Sequence, residues 1–149
     1  MDIRELLSPD HVVLDLRPRS KPRVLQDIAQ QFNKSDPSLD TERIATALQA
    51  REQLGSTGLG NGFALPHARI DTLPAYRGLF VRLDKPLAFE AVDGEPVTTI
   101  FALLMPGSET SSHVGALATV SRLFRDPQIR DRLRIVKTAA DAYKILTES

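Results

Sequence analysis

The chain has 149 residues, 42% of them hydrophobic and 26% charged, and its 19 Lys and Arg residues balance 19 Asp and Glu residues. This composition predicts one globular domain, and neutrality makes it a poor candidate for tight nucleic-acid binding, which usually requires a basic excess. The absence of cysteine excludes disulfides and thiolate metal sites, and without a secretory signal or an apolar run near the ~18 residues of a membrane span we expect a cytoplasmic protein with no membrane insertion.

The first part of the chain predicts one strand and two helices. The segment VVLDL at 12–16 is typical of a strand, and apolar spacing over 21–32 indicates a helix. Asp40 suits the N-cap of a second helix, whose core-facing residues would include Leu54. The following STGLGNG contains too much glycine to predict either helix or strand.

Strands and then helices are predicted beyond that point. FALPHA is expected to be extended up to Pro66, and 76–83 and 97–106 are strand candidates, the latter apolar enough to be buried on both faces. A helix should follow, with Val114, Leu117, Val120 and Phe124 along its apolar stripe, and two shorter helices should start at Asp126-Pro127 and Thr138. The pattern predicts a single α/β domain with helices on both faces of a sheet.

One histidine stands where function is plausible. In GNGFALPHARI, His67 follows a glycine-rich turn and Pro66 at what we expect to be the end of a strand. Imidazole there could serve as a base, a metal ligand or a nucleophile. No phosphate-loop ending or zinc motif is present, and by spacing alone a structural histidine is the better interpretation.

His113 is a second candidate, at the start of the helix after strand 97–106. If that strand runs parallel to FALPH, both histidines could meet at one edge of the sheet. Taken alone, His113 is better interpreted as an ordinary polar residue of a first helical turn.

Three stretches carry a family resemblance: REQLGSTGLGNGFALPHARI (51–70), LDKPLAFEAVDGEPV and FALLMPGSETSSHVGALATVSRLF. They closely resemble the enzyme IIA domains of the phosphoenolpyruvate-dependent phosphotransferase system, in the fructose/mannitol and nitrogen-regulatory class. GSTGLGNG is most similar to the nitrogen-regulatory branch. The resemblance covers nearly the whole chain, so it implies one IIA type-2 domain over 1–149, with a mixed β-sheet sandwiched by helices.

The resemblance also implies roles for individual residues. His67 would accept a phosphoryl group on Nε2 from a phosphohistidine of a small histidine phosphocarrier protein (HPr-like). His113 and Arg51 would donate hydrogen bonds to the phosphoryl oxygens, and Ser56 and Thr57 would lie near them. Neither a cofactor nor a metal is expected, because the donor is a phosphohistidine.

Three further expectations concern the surroundings of His67. Its second ring nitrogen should bond a backbone carbonyl or a loop group. Ala68 replaces the family's usual glycine, and we expect negative φ there, which alanine tolerates. An apolar docking face should surround the site, with Leu59 and Phe63 as candidates, although Phe63 could equally belong to the core.

Three functions remain open from the sequence. The first is a regulatory phosphoryl carrier whose target proteins respond to its phosphorylation state. The second is a sugar-transport IIA protein that passes the phosphoryl group to a IIB partner. The third is an unphosphorylated interaction module. The oligomeric state is left open.

Overall fold

The computed structural model describes residues 1–107 and 111–148, so residues 108–110 of the motif FALLMPGSETSSHVGALATVSRLF, and residue 149, lie outside the described part. Within that part a short 3₁₀ turn at Ile3–Glu5 precedes six strands and five α-helices. In chain order these are β1 (Val12–Leu16), α1 (Lys21–Ser35), α2 (Thr41–Gln53), β2 (Gly58–Gly60), β3 (Phe63–Ala64), β4 (His67–Ile70), β5 (Arg77–Leu87), β6 (Val97–Pro106), α3 (Ser111–Arg125), α4 (Pro127–Ile135) and α5 (Ala139–Thr147).

The strands form one mixed sheet. β5 lies between β1, which is parallel to it, and β6, which is antiparallel. On the other side of β6 lie β3 and then β4, both parallel to it, and β2 pairs antiparallel with β3. This confirms the mixed sheet that the resemblance implies, and the register sets His67 opposite Leu103.

Helices cover both faces of the sheet, as predicted. One core lies between the sheet and the first two helices and includes Phe32, Leu48 and Ile100. The other core includes Phe101 and Phe124 and lies under the last three helices. Burial of large apolar side chains on both faces gives the sheet two cores, as expected of an α/β layer architecture.

Local sequence signals set several boundaries correctly. The strands at 12–16 and 97–106 are confirmed residue for residue. Asp40 and Thr138 each accept a hydrogen bond from a backbone N–H of the first helical turn that follows. Pro127 opens α4, where its missing N–H leaves no helical bond unmade.

The prediction that STGLGNG forms no strand is wrong for Gly58–Gly60. β2 and β3 form a hairpin whose two turn residues, Asn61 and Gly62, have φ of 57° and 76°. Positive φ at both positions matches the twist of tight hairpins. A Cβ on Gly58 would lie 2.7 Å from that of Ala91, so glycine there allows close packing.

Two residues predicted to face the core are exposed instead. Leu54 is 85% exposed, because α2 ends at Gln53 and the helical spacing no longer applies. Val114 is 73% exposed, because the buried stripe of α3 runs through His113, Ala116 and Val120 and does not include Val114.

Candidate active site

His67 is the first residue of β4, which corrects the expectation that it lies at the end of a strand. Pro66 lacks an N–H and separates β3 from β4, although both pair with β6. The Pro66 carbonyl still accepts a bond from the Leu103 N–H at 2.9 Å. The break therefore leaves the backbone anchored on β6 on both sides of the histidine.

A backbone hydrogen bond determines which nitrogen of His67 carries the proton. Nδ1 lies 2.8 Å from the carbonyl oxygen of Leu65. A carbonyl can only accept, so Nδ1 must donate, and in the neutral ring Nε2 then holds a lone pair. The expected acceptor for the second ring nitrogen is thus a backbone carbonyl, and Nε2 is the atom that keeps the lone pair.

Arg51, in the last turn of α2, lies against Nε2 of His67. Its Nε–H donates to Nε2 of His67 at 3.2 Å, and its Nη1 donates to the carbonyl of Gly55 at 2.9 Å. Two of the five guanidinium N–H groups make these bonds. The structure therefore brings together two of the predicted site residues, with a cation beside the lone pair.

Ser56 and Thr57 have partners other than His67 in this structure. The Ser56 hydroxyl donates to the carbonyl of Phe89 at 2.7 Å. The buried Thr57 donates its hydroxyl to Oε1 of Glu52 at 2.6 Å and its N–H to Oε2 at 2.8 Å. Both side chains hold the loop before β2, and their contact with a phosphoryl group stays a prediction.

His113 is buried in α3, with its ring edge-on to that of Tyr76 at a centroid distance of 5.8 Å. Neither ring nitrogen has a hydrogen-bond partner within the described residues. The meeting of both histidines at one edge of the sheet therefore stays a prediction. A buried polar group without a partner is unfavourable, so the described residues give no structural reason for a histidine at this position.

Sequence reasoning missed one element next to the site. Glu52 is buried beside Thr57 and forms an ion pair with Lys21 of α1. A carboxylate directly after Arg51 in the sequence was a possible signal for Glu52, but nothing near Lys21 in the sequence marked it.

The two residues predicted for the docking face, Leu59 and Phe63, differ in exposure. Phe63 belongs to the core, because its ring stacks on that of Phe124 at 4.0 Å and only 3% of the residue is exposed. Leu59 is 45% exposed. Leu59 can therefore contribute to a docking surface and Phe63 cannot.

Burial lowers the pKa of His67 below its ordinary 6.5, and the Arg51 guanidinium lowers it further. The hydrogen bond to Leu65 and the charge of Glu52 act in the opposite direction and are outweighed. A neutral imidazole keeps the lone pair on Nε2, so His67 retains this lone pair at pH values where an ordinary histidine is half protonated.

We expect the imidazole of His67 to titrate with a midpoint below about 6.5. Since the folded chain resists protonation there, its stability relative to the unfolded chain should fall as pH decreases from about 6.5 toward that midpoint. Titration of the ring C–H resonances by NMR measures the midpoint. A midpoint at or above the ordinary value would contradict the assigned surroundings of the ring.

Ala68 lies within β4, is not among the residues with positive φ, and is buried against the α1–α2 core. The expectation of negative φ is consistent with this strand conformation. The methyl group packs, so alanine at this position is compatible with the site geometry.

Ala68→Gly should therefore destabilise the protein by about 1–2 kcal/mol, through the lost methyl burial and the greater freedom of glycine in a strand. Its phosphoryl acceptance should not become faster. Chemical denaturation and an acceptance assay measure the two effects, and a faster variant would show that alanine constrains the site.

Comparison with known proteins decides the family. Residues 5–149 match the family described as "Phosphoenolpyruvate-dependent sugar phosphotransferase system, EIIA 2". The chain belongs to this family. It resembles a nitrogen regulatory protein of Pseudomonas aeruginosa (36% identity; 98% of this chain and 95% of the relative) and one of Escherichia coli K12 (40% identity; 88% and 80%).

A solved structure of a similar protein agrees in fold. The nitrogen regulatory protein IIA-Ntr from Neisseria meningitidis is 38% identical and superposes with a TM-score of 0.90, over 97% of this chain and 99% of that one. The resemblance recognised from the motifs is thus confirmed. None of the described helices is long and apolar enough to cross a membrane, and the described residues contain no group of three or more histidines and carboxylates able to hold a metal ion.

Proposed function

We propose that this EIIA 2 protein is a phosphoryl carrier that accepts a phosphoryl group on Nε2 of His67 from the phosphohistidine of a small HPr-like carrier. The observation that carries the proposal is the orientation of the imidazole. The Leu65 carbonyl binds Nδ1–H, and this leaves the lone pair of Nε2 facing the Arg51 guanidinium.

The transfer is an in-line displacement. The Nε2 lone pair of His67 forms a bond to phosphorus while the P–N bond of the carrier breaks, and its electron pair stays on the carrier's imidazole. The His67 ring becomes more positive as the bond forms, and the Leu65 carbonyl stabilises that charge through Nδ1–H. Phosphoryl transfer depends chiefly on such positioning and charge stabilisation.

Arg51 must change partners during this step. In the structure its Nε–H is bonded to the atom that attacks. When phosphorus arrives, the same N–H can move to a phosphoryl oxygen, where a charge-assisted bond is stronger than one to a neutral nitrogen. His113, whose ring nitrogens have no partner among the described residues, is placed in our proposal as the second donor, and Ser56 and Thr57 are placed near the phosphoryl group.

The output of the carrier is regulation of target proteins according to its phosphorylation state. Two similar proteins carry the name nitrogen regulatory protein, which supports this branch. A dianion added at His67 would change the local potential and so select among partners. Transfer onward to a IIB partner with sugar turnover is the alternative within the family.

The docking face for the carrier protein is formed by apolar side chains adjacent in the chain to site residues. Leu54 precedes Gly55, which binds Arg51, and Val114 follows His113. Both are largely exposed, as is part of Leu59. Exposed aliphatic groups beside a polar reacting centre suit a transient protein–protein contact.

The test is the intact mass of the wild-type chain after incubation with phosphoenolpyruvate, enzyme I and the small carrier. We expect one acid-labile phosphoryl group on the chain. If the sugar-transport alternative holds, addition of a IIB protein should remove this group; if the regulatory branch holds, the group should stay. With a carrier shown to be phosphorylated in parallel, absence of the group would leave the unphosphorylated interaction module as the function.

A further inference from the structure

An ion pair of low exposure joins Lys21 of α1 to Glu52, the residue that directly follows Arg51 in the last turn of α2. Nζ of Lys21 is 2.9 Å from Oε2 of Glu52, and their side chains are 17% and 6% exposed. Burying two charges is unfavourable unless each has further partners. The further partners of Lys21 and Glu52 therefore indicate which part of the structure the pair stabilises.

Both charges have further partners, and for Lys21 these include Oε1 of the exposed Glu90 at 3.5 Å. Glu52 accepts from the N–H and the hydroxyl of Thr57 at 2.8 and 2.6 Å. Lys21 donates to the carbonyl of Phe89 at 3.2 Å and lies 4.7 Å from the centre of its ring. The Ser56 hydroxyl donates to that same carbonyl, so the two loop residues are tied to one anchor.

A chain of short backbone bonds leads from this anchor to the nucleophile. The carbonyl of Thr57, whose N–H Glu52 holds, accepts from the N–H of Leu65 at 2.9 Å. The carbonyl of Leu65 then accepts from Nδ1 of His67 at 2.8 Å. Displacing Thr57 would therefore displace the carbonyl that accepts from Nδ1–H, which together with the Arg51 guanidinium sets the tautomer and direction of the imidazole.

Helix α2 also links the Lys21–Glu52 pair to the Arg51–His67 pair. Arg51 and Glu52 are consecutive in the last turn of α2, and one side chain reaches His67 while the other reaches Lys21. A charge that fixes the rotation of this turn also fixes where the guanidinium lies. The Lys21–Glu52 pair thus affects the positions of both groups that bind the His67 ring, the Arg51 guanidinium and the Leu65 carbonyl.

We propose that Lys21 and Glu52 are positioning residues for phosphoryl acceptance, because they hold Thr57 and through it the Leu65 carbonyl that orients His67. The inference rests on the proposed function. A purely stabilising ion pair would change unfolding but would leave the orientation of the ring as it is.

The variant Glu52→Gln keeps the shape of the side chain and removes its charge. We expect it to accept phosphoryl groups about 10- to 100-fold more slowly, since misplacement of a reacting group by about 1 Å has that order of effect. We also expect nitrogen chemical shifts of His67 to show a mixture of tautomers, where the wild type shows Nδ1–H alone. If Glu52→Gln does not fold, the double variant Lys21→Met/Glu52→Gln is measured instead. It removes both members of the pair, and the other carboxylate beside Lys21, Glu90, is 85% exposed to solvent.

Asp15→Asn is the matched control. Asp15 pairs with Arg82, whose side chain is 12% exposed, at the opposite edge of the sheet from β4. Its φ of 60° suits asparagine. This acid-to-amide change should lower stability and leave the tautomer and the acceptance rate of His67 as they are in the wild type.

The two proposals fail in different ways. A wild-type chain that accepts no phosphoryl group overturns the proposed function, while the tautomer of its His67 still tests the positioning. A Glu52→Gln chain with a single Nδ1–H tautomer and wild-type acceptance, like Asp15→Asn, overturns the positioning role and leaves a structural ion pair.

Discussion

His67→Ala is expected to abolish phosphoryl acceptance completely while the protein remains folded. The side chain supplies the only attacking atom in our mechanism, so no residual transfer through other groups is expected. The lost contacts are the hydrogen bonds to Leu65 and Arg51 at the half-buried start of β4. Two modest hydrogen bonds contribute on the order of 1–3 kcal/mol to stability, which a domain of this size tolerates.

The experiment compares the intact mass of wild type, His67→Ala and His11→Gln after incubation with the phosphorylated carrier, with a thermal melt for each. His11 directly precedes β1, at the far edge of the sheet. We therefore expect His11→Gln to take up one phosphoryl group like the wild type. An acid-labile group on a folded His67→Ala chain would place the acceptor elsewhere.

Short-range signals were sufficient to predict much of this fold. Asp40 and Thr138 cap helices because a short oxygen-bearing side chain can reach N–H groups two or three residues ahead, which depends on the local chain alone. The buried strand at 97–106 was visible because it is apolar at nearly every position. The hairpin at Asn61-Gly62 also had a local signal, but the glycine content of the stretch obscured it.

The site was predictable only in its chemistry. The motif around Pro66-His67 resembles the family signature and so indicates the nucleophile, and the carbonyl partner of Nδ1 is two residues away in the chain. The supporting pair is different. Lys21 and Glu52 are 31 positions apart in the chain and belong to different helices. Only the packing of α1 against α2 brings them together.

The exposure of Leu54 and Val114 was also not predicted, because helical spacing carries limited information. Helical spacing predicts which residues share a face, but not where the helix ends or which face meets the sheet. Leu54 lies one residue past the end of α2, and Val114 lies outside the buried stripe that contains His113 and Ala116. Both are apolar and exposed where we expect another protein to bind.

Arg51→Ala should slow phosphoryl acceptance by about ten- to a thousandfold, the range for removal of one donor that stabilises transition-state charge. The guanidinium contacts Nε2 and also binds the carbonyl of Gly55. Its removal takes away a positive charge at the atom that attacks and a bond that fixes the end of α2. The pKa of His67 should rise at the same time, because the guanidinium lowers it.

Arg51→Lys separates the charge from the geometry. Lysine keeps a positive charge, but a single ammonium group lacks the fork that reaches both Nε2 and the Gly55 carbonyl. We therefore expect an intermediate rate in Arg51→Lys and a pKa of His67 closer to that of the wild type than in Arg51→Ala.

Rapid-quench measurements over a range of phosphorylated-carrier concentrations distinguish transfer from docking. If Arg51 stabilises the transferring group, the limiting rate falls and the concentration for half-saturation changes little. A change confined to half-saturation would make Arg51 part of the docking face instead. Unchanged acceptance in Arg51→Ala would mean that the bond to Nε2 has no part in the transfer, and His113 would then be the donor to remove next.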